Sequence, residues 1–233
     1  MKPLRVLNTR PREQAAELSA LLRVAGFEAV EASAIAIERA WSAHDFEATL
    51  SALASGSYAC VVLQSANAAC GLEEHLPNAS VVCGASTARA LDLDAAVTLE
   101  RFSAAAALEA MTPVLRAGDR VLVPRAAEGR DELVDGLRAL GVEVDAPVAY
   151  RTVATEDAAS QLRLGGIDVV TLCSPSAVAP IAAAVPREAL VVCIGATTAD
   201  AARAHGVRVD AVADQTSMRS LVHAIERLAG ARV

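Results

Sequence analysis

The sequence predicts an α/β fold with two lobes, each a parallel sheet flanked by helices. Three observations predict it: short apolar runs alternate with helical segments, glycine ends several of those segments, and the whole pattern occurs twice along the 233 residues. Nearly continuous apolar strands joined by helical crossovers are typical of parallel sheets covered on both faces. The chain is long enough for two lobes that each bury a core.

The composition is that of a globular protein and excludes several functions. Hydrophobic residues make up 54% of the chain and charged residues 21%, which excludes wholesale disorder. The formal net charge is −7 at pH 7, so we expect no general affinity for nucleic acid or for an anionic membrane. Lys2 is the only lysine. The arginine bias reflects either genome composition or a use for guanidinium groups that bind carboxylate or phosphate.

The five cysteines predict a reducing cytoplasm rather than a disulfide framework. Their number is odd, none forms a CxxC pair, and no signal peptide is recognisable. Cys60, Cys83, Cys173 and Cys193 lie in or at the ends of apolar strand-like runs, where cysteine behaves as a small hydrophobic residue.

One uncharged stretch, residues 169–186, is long enough to raise the question of a membrane span. It contains two serines and three prolines, which predict a strand, turns and a short helix instead. We therefore expect no membrane partner.

A repeat organises the chain into two similar strand–loop–helix segments. Residues 5–10 (RVLNTR) and 120–125 (RVLVPR) are 115 positions apart. The helices that follow have leucines at the spacing of one apolar face, and they end at Gly26 and Gly141, again 115 positions apart. Glycine directly after a helix predicts a left-handed residue that terminates it.

Two further segments repeat with slightly different separations. Residues 59–65 resemble residues 168–174 at a separation of 109, and residues 81–88 resemble residues 192–199 at a separation of 111. Each is typical of a buried strand followed by small hydroxyl residues. The chain thus contains two copies of an alternating strand–helix module, with a cleft expected between two α/β lobes.

Small hydroxyl residues follow four of these strands, where a helix is expected to begin. Ligands of open parallel sheets bind beyond the carboxyl ends of the strands, and a helix start offers N–H groups and the positive end of its dipole to an anion. We expect either ordinary helix caps or, because the repeat pairs the four turns, a cleft that holds carboxylate or phosphate. The residues concerned are Ser65 and Asn67, Ser86 and Thr87, Ser174 and Ser176, and Thr197 and Thr198.

Familiar catalytic and cofactor motifs are missing from the sequence. It has no G-x-G-x-x-G after a strand and no G-x-x-x-x-G-K-[ST]. The four histidines are scattered without the spacing of metal ligands, and periodicity places no pair of acidic residues on one face. The sequence therefore predicts no obvious nucleophile, metal site or general base.

Tyr150 is the one side chain that suggests proton chemistry. It closes a strand-like stretch, residues 144–150, and is one of two tyrosines. A phenol is a poor base at neutral pH, but it can donate a hydrogen bond or a proton. A tyrosine that only packs between the lobes agrees equally well with the spacing.

The order of the motifs resembles that of the uroporphyrinogen-III synthase family over essentially the whole chain. The similar motifs are residues 8–11 (NTRP), 63–68 (LQSANA), 83–88 (CGASTA), 123–125 (VPR) through 129–130 (GR), 148–153 (VAYRTV) and 194–199 (IGATTA). The chain departs from the family in two respects. Gln64 and Cys173 replace the usual threonine or serine, and the glycine expected after the helix that ends near Leu91 is missing.

The resemblance implies a flavodoxin-like, two-lobed fold joined by a two-stranded linker. One lobe would consist of residues 1–36 and 153–233, and the other of residues 40–148. Linker strands near residues 35–39 and 148–153 would connect them.

The resemblance further implies a cofactor-free lyase of tetrapyrrole biosynthesis that binds no metal. Such an enzyme cyclises hydroxymethylbilane, inverts its last pyrrole ring and releases water. The substrate carries several carboxylates, and an azafulvene-type intermediate requires protonation of the leaving group and positioning. Tyr150 matches the candidate acid of the family. The implied substrate-binding residues are Arg10, Arg125 and Arg130, together with the eight turn residues named above.

A different class of function is a non-catalytic, two-lobed cytoplasmic module that closes on an acidic small molecule. Tyr150 on the implied linker favours the enzyme. We expect a cytoplasmic monomer whose partner is a small molecule, hydroxymethylbilane, and neither nucleic acid nor a membrane.

Overall fold

The computed structural model describes residues 2–230. The strands are β1 (Arg5–Asn8), β2 (Glu28–Glu31), β3 (Ile35–Arg39), β4 (Cys60–Leu63), β5 (Val81–Gly84), β6 (Val97–Leu99), β7 (Arg120–Leu122), β8 (Arg125–Ala126), β9 (Glu143–Asp145), β10 (Val148–Ala154), β11 (Val169–Leu172), β12 (Leu190–Cys193) and β13 (Ala211–Val212). The α-helices are α1 (Ala16–Val24), α2 (Ala43–Ala54), α3 (Ala85–Ala90), α4 (Ala104–Met111), α5 (Glu132–Ala139), α6 (Asp157–Leu164), α7 (Ala196–Ala204) and α8 (Met218–Gly230).

The chain divides into two compact units. The first unit comprises the chain up to Ala36 together with the chain from Thr152 onward, and the second comprises Ile37–Arg151. The chain crosses from one unit to the other within β3 and within β10. These two strands belong to a three-stranded sheet with the order β3-β10-β8.

Each unit is built on a five-stranded parallel sheet. The order is β13-β12-β11-β1-β2 in the first unit and β6-β5-β4-β7-β9 in the second, and every pairing is parallel. In the first unit α1 and α8 pack on one face of the sheet, while α6 and α7 pack on the other. In the second unit α4 and α5 cover one face, and α2 and α3 cover the other. The predicted fold class is confirmed.

Successive side chains of a strand point to opposite faces of the sheet, so each strand contributes to the hydrophobic cores on both faces. In β1, for example, Val6 packs against α1 and α8, whereas Leu7 packs against α6 and α7. Both side chains are fully buried. A strand that is buried on both faces is apolar at nearly every position, which explains the nearly continuous apolar runs in the sequence.

The sequence repeat corresponds to identical positions in the two sheets. Val6 pairs with Val169 in the first unit, and Val121 pairs with Cys60 in the second. These pairs are related by the separations of 115 and 109 found in the sequence. Read along the sheet, β13-β12-β11-β1-β2 therefore corresponds strand by strand to β6-β5-β4-β7-β9. The two sheets share one arrangement and differ in the order in which the chain passes through it.

The separation of 111 holds for the turns but not for the strands before them. Val61 pairs with Val81, and the corresponding Val170 pairs with Val191. Equivalent residues of β5 and β12 are therefore 110 positions apart. The extra residue lies after β12, where two residues precede α7, whereas α3 begins directly after β5.

The predicted stretch 144–150 is not one strand. It is divided between β9, on the edge of the second unit's five-stranded sheet, and β10, in the three-stranded sheet. Pro147 lies between them, and proline cannot donate a backbone hydrogen bond to a sheet. The prediction of one continuous strand was therefore wrong.

The helix ends agree with the glycine pattern. Gly26 and Gly141 follow α1 and α5 with φ of +84° and +80°. After α3, where no glycine stands, Asp92 takes the left-handed conformation with φ of +50°. The backbone N–H of Leu93 then donates to the carbonyl of Ala88 at 2.9 Å, the bond that closes a Schellman-type helix end.

The uncharged stretch 169–186 forms β11 and two short 3₁₀ turns, Pro175–Ala177 and Ala182–Ala184. Within residues 2–230, no helix combines the length and the apolar character that crossing a membrane requires. The interpretation of this stretch as a strand and turns is confirmed.

Candidate functional site

The site in each unit is defined by the point at which the strand order reverses. Connections lead away in opposite directions from β1 and β11 in the first unit, and from β4 and β7 in the second. Beyond the carboxyl ends of such a strand pair the connecting helices diverge, and a crevice opens that serves as the usual ligand site of doubly wound sheets.

The second unit has a cavity at this point. Its volume is about 250 Å³, and it lies beside the residues that follow β4 and β7. The lining residues are Gln64, Ser65, Ala68, Pro124, Arg125, Ala126, Gly129 and Tyr150.

Tyr150 reaches this cavity because β10 pairs with β8. Tyr150 stands opposite Ala126 in the sheet, and its carbonyl accepts a hydrogen bond from the N–H of Ala127 at 2.9 Å. The half-buried phenol oxygen lies 3.1 Å from Oγ of Ser65. Two hydroxyl groups that the sequence predicted separately are thus hydrogen-bonded to each other.

Arg125 contributes the positive charge of the cavity. Its Nη1 pairs with Oδ1 of Asp131, and its Nη2 donates to the carbonyl of Gly129 at 2.6 Å. Nε is buried and has no hydrogen-bond partner among the described residues. Arg130 lies outside the lining, with an exposed side chain whose Nη1 is 3.9 Å from Glu132.

The other predicted residues of the second unit lie in the turns after β4 and β5. Asn67 is half-buried within the 3₁₀ turn Ala66–Ala69, which follows Ser65. Ser86 is exposed and Thr87 is buried in the first turn of α3. None of these three residues lines the cavity.

The corresponding edge of the first unit carries the remaining predicted hydroxyls. Oγ of Ser174 lies 3.0 Å from Oγ of Ser176 after β11. In the first turn of α7, Thr197 is exposed and Thr198 is buried.

Arg10 is the counterpart of Arg125 in the repeat, but its guanidinium is bound within its own unit. Nε donates to the carbonyl of Gln14 at 2.8 Å, Nη2 to Oε1 of Gln14 at 3.3 Å, and Nη1 to the sulfur of Met218 at 3.4 Å. All three nitrogens therefore have a partner, unlike those of Arg125.

The predicted hydroxyl caps are absent from the four turns. Ser65 and Ser174 precede 3₁₀ turns, and neither side chain accepts a capping hydrogen bond. The N-cap residues of α3 and α7 are Gly84 and Gly195, which have no side chain to cap with. The capping interpretation was wrong for all four turns, and the hydroxyls of Ser65 and Ser174 bond instead to other hydroxyls.

The thiols of the described chain are not activated. Burial raises the pKa of Cys60, Cys173 and Cys193 to about 11 in each case, so these groups stay protonated at neutral pH, and the thiolate is the nucleophilic form. Within residues 2–230, no three His, Cys, Asp or Glu side chains converge as a metal-binding group.

Several residues that line cavities of the second unit were not predicted as site residues. Gln64 and Gly129 line the first cavity. Tyr58, Arg120 and Asp145 line a second cavity of about 350 Å³, where Tyr58 and Arg120 each donate to Oδ2 of Asp145 at 2.7 Å. Burial and the bond to Asp145 raise the pKa of Tyr58 to about 12. No spacing in the sequence indicates these contacts, because they join separate elements.

A family model and two of the similar solved structures are described as uroporphyrinogen-III synthases. A family model described as uroporphyrinogen-III synthase HemD matches residues 16–223. A mutant uroporphyrinogen III synthase from the extremely thermophilic bacterium Thermus thermophilus is 19% identical with a TM-score of 0.62, covering 98% of this chain and 99% of that one. Uroporphyrinogen-III synthetase from Helicobacter pylori is 16% identical with a TM-score of 0.64, covering 97% and 99%. No curated protein sequence matches the chain.

Proposed function

Because the chain belongs to the uroporphyrinogen-III synthase family, an enzyme family of tetrapyrrole biosynthesis, we propose that it acts as a lyase through the cavity of the second unit. Its reaction cyclises hydroxymethylbilane with inversion of the last pyrrole ring. We assign it to the lyases because the hydroxymethyl oxygen leaves as water. A non-catalytic binding module is not favoured by this family membership.

The first chemical demand is the departure of the hydroxyl group. Hydroxide is a poor leaving group, so breaking its C–O bond requires a proton or a strong hydrogen bond to the oxygen. Tyr150 is the donor in this proposal. Its phenol lines the cavity and is hydrogen-bonded to Ser65 at 3.1 Å. In the proposal Ser65 donates this bond, so the phenol keeps its own proton for the leaving oxygen. This hydrogen bond within the cavity is the observation that carries the proposal.

The second demand is to hold a flexible substrate with several carboxylates. Arg125 supplies positive charge at the cavity. The hydroxyls of Ser174, Ser176 and Thr197 lie at the carboxyl edge of the first unit's sheet. In the proposal these groups position the chain of pyrrole rings, and positioning supplies much of the acceleration of a unimolecular ring closure.

The experiment that tests the proposal follows the isomer formed. Hydroxymethylbilane cyclises spontaneously to the type I isomer, so enzyme-dependent formation of the type III isomer identifies the activity. Purified protein is mixed with hydroxymethylbilane, and the oxidised products are separated by chromatography. We expect the type III isomer in proportion to enzyme. A product that is only type I, at the spontaneous rate, would contradict the proposal.

A further inference from the structure

The guanidinium of Arg125 is held from two sides by the loop that follows it. Asp131 pairs with Nη1, and the carbonyl of Gly129 accepts a hydrogen bond from Nη2. The Arg125 side chain is 17% exposed, whereas that of Asp131 is 61% exposed. Two bonds to different nitrogens fix both the position and the plane of a guanidinium group.

Gly129 stands where a larger residue would crowd the loop. A Cβ at this position would lie 3.0 Å from the carbonyl oxygen of Ala126 and 3.5 Å from Nε of Arg125. Replacement of Gly129 therefore requires a shift of a few tenths of an ångström in the loop that carries its carbonyl.

The arrangement leaves one donor of Arg125 without a partner. Nε is buried and donates to no atom of the described residues, and an unpaired buried donor is costly. Arg10, at the equivalent place in the first unit, uses its Nε in a bond to Gln14. An unpaired buried donor in a folded protein calls for an explanation, and a bound ligand is one.

We infer that Asp131 and Gly129 are positioning residues that aim Arg125 at one carboxylate of the substrate. The inference rests on the proposed function. A guanidinium has five N–H donors, and two of those of Arg125 are used by Asp131 and Gly129, so the exposed end keeps donors for a ligand. The cavity of about 250 Å³ is smaller than the roughly 300–1,000 Å³ of pockets that enclose a whole ligand. It therefore takes one part of the tetrapyrrole, next to Tyr150.

The sharpest test is Asp131→Asn, because charge and positioning predict opposite results. Removing a negative charge near a substrate with several carboxylates strengthens binding if charge alone matters. Positioning predicts weaker binding, because asparagine replaces the charge-assisted bond to Nη1 of Arg125 by a weaker neutral one and leaves only the carbonyl of Gly129 to hold the guanidinium as before. We expect KM to rise about two- to fivefold with kcat unchanged, the scale of an exposed ion pair.

The matched control is Glu128→Gln. Glu128 is exposed in the same loop, so its replacement removes the same charge without touching Arg125. We expect its KM to be unchanged or slightly lower. A KM in Asp131→Asn that is unchanged or lower, like that of the control, would overturn the inference.

A second measurement identifies the carboxylate without depending on Asp131. Bilane analogues that each lack one carboxylate are assayed with the wild-type protein and with Arg125→Lys. Lysine keeps the charge but lacks the planar set of N–H donors that can bind both oxygens of a carboxylate. KM for the full substrate should therefore rise about 10- to 100-fold. For one analogue, which lacks the bound carboxylate, the two proteins should have the same KM. An equal rise for every analogue would overturn the inference.

The wild-type assay separates this inference from the proposed function. Wild-type protein that forms only the type I isomer contradicts the proposed function and the inference together. Wild-type protein that forms type III, combined with Asp131→Asn and Glu128→Gln of equal KM, contradicts the inference alone. Thermal melts of each variant establish that the compared proteins are folded.

Discussion

The phenol oxygen of Tyr150 and Oγ of Ser65 are 3.1 Å apart, and either can donate the hydrogen bond that joins them. Ser65 stands directly beyond β4, and Tyr150 lies on β10 in a different sheet. The bond thus connects the crevice of the five-stranded sheet to the strand through which the chain leaves the second unit. The first two predictions concern this pair.

Tyr150→Phe removes the proposed proton donor and keeps the ring. General acid assistance typically contributes 10²–10⁴-fold, so we expect kcat to fall by about this factor while KM changes by less than about twofold. Steady-state kinetics with hydroxymethylbilane measures both constants, and a thermal melt checks the fold. A kcat near that of the wild type would mean that Tyr150 only packs.

Ser65→Ala removes the partner that orients the phenol. The loss of one hydrogen bond of about 1 kcal/mol corresponds to about a fivefold decrease in kcat/KM. In a protein that already carries Tyr150→Phe, the same change should have almost no further effect, since coupled residues are not additive. Complete inactivity of a folded Ser65→Ala protein would instead make Ser65 a catalytic group.

Asp92→Gly should stabilise the protein. Asp92 has φ of +50°, a conformation that costs most residues about 1–2 kcal/mol but glycine very little. Part of this gain is lost because glycine is more flexible in the unfolded chain, so we expect a net gain of about 0.5–1 kcal/mol in the free energy of unfolding, measured by urea titration. The control is Gly206→Ala after α7, where φ is +73°, and it should destabilise.

Asn8→Ala should destabilise the first unit. The fully buried amide of Asn8 donates to the carbonyl of Ala15 at 2.9 Å and to Oγ of Ser19 at 3.0 Å, and its oxygen accepts from the N–H of Arg10. Leaving such groups unpaired costs about 1–3 kcal/mol. The exposed Asn78 provides the control, because Asn78→Ala should change stability by less than about 0.5 kcal/mol.

The raised pKa of Tyr58 should make the free energy of unfolding decrease with pH in the alkaline range. Its pKa is raised from 10.0 to about 12 in the folded protein, so the folded state holds the phenol proton more tightly than the unfolded state does. The resulting stabilisation is complete below pH 10 and is lost as the pH rises toward 12.

Urea titrations at several pH values above about 9 measure this effect. The free energy of unfolding should decrease less steeply with pH in Tyr58→Phe than in the wild type. The buried cysteines also lose stabilisation in this range, but they do so in both proteins and cancel in the comparison. Equal slopes for the two proteins would contradict the prediction.

The sequence predicts the two sheets well because their signal is local and occurs twice. Each of β4 and β11 is an apolar run followed by a small turn, and the common separation of 109 positions reveals their equivalence. The break at Pro147 was missed because valine and alanine occur on both sides of it and give one strand-like pattern. The one-residue shift after β12 was missed because the turn sequences match better than the strands do.

The site is harder to predict because its contacts join distant parts of the chain. The turn around Ser65 and the position of Tyr150 are visible as motifs, but their hydrogen bond depends on the pairing of β10 with β8. The role of Gly129 follows from a close approach that exists only in the folded loop. Hydroxyl residues at strand ends suggest helix caps. In the structure Ser65 and Ser174 precede 3₁₀ turns without capping them, and glycine occupies the N-cap positions of α3 and α7.

The arrangement of the sheets makes each half of the chain incomplete. A cut in the loop between residues 115 and 120 would leave β1 to β6 in one fragment and β7 to β13 in the other. Each fragment would then hold two strands of one five-stranded sheet and three of the other. Because each fragment lacks strands of both sheets, we expect the two fragments to gain structure only when mixed, by mutual complementation.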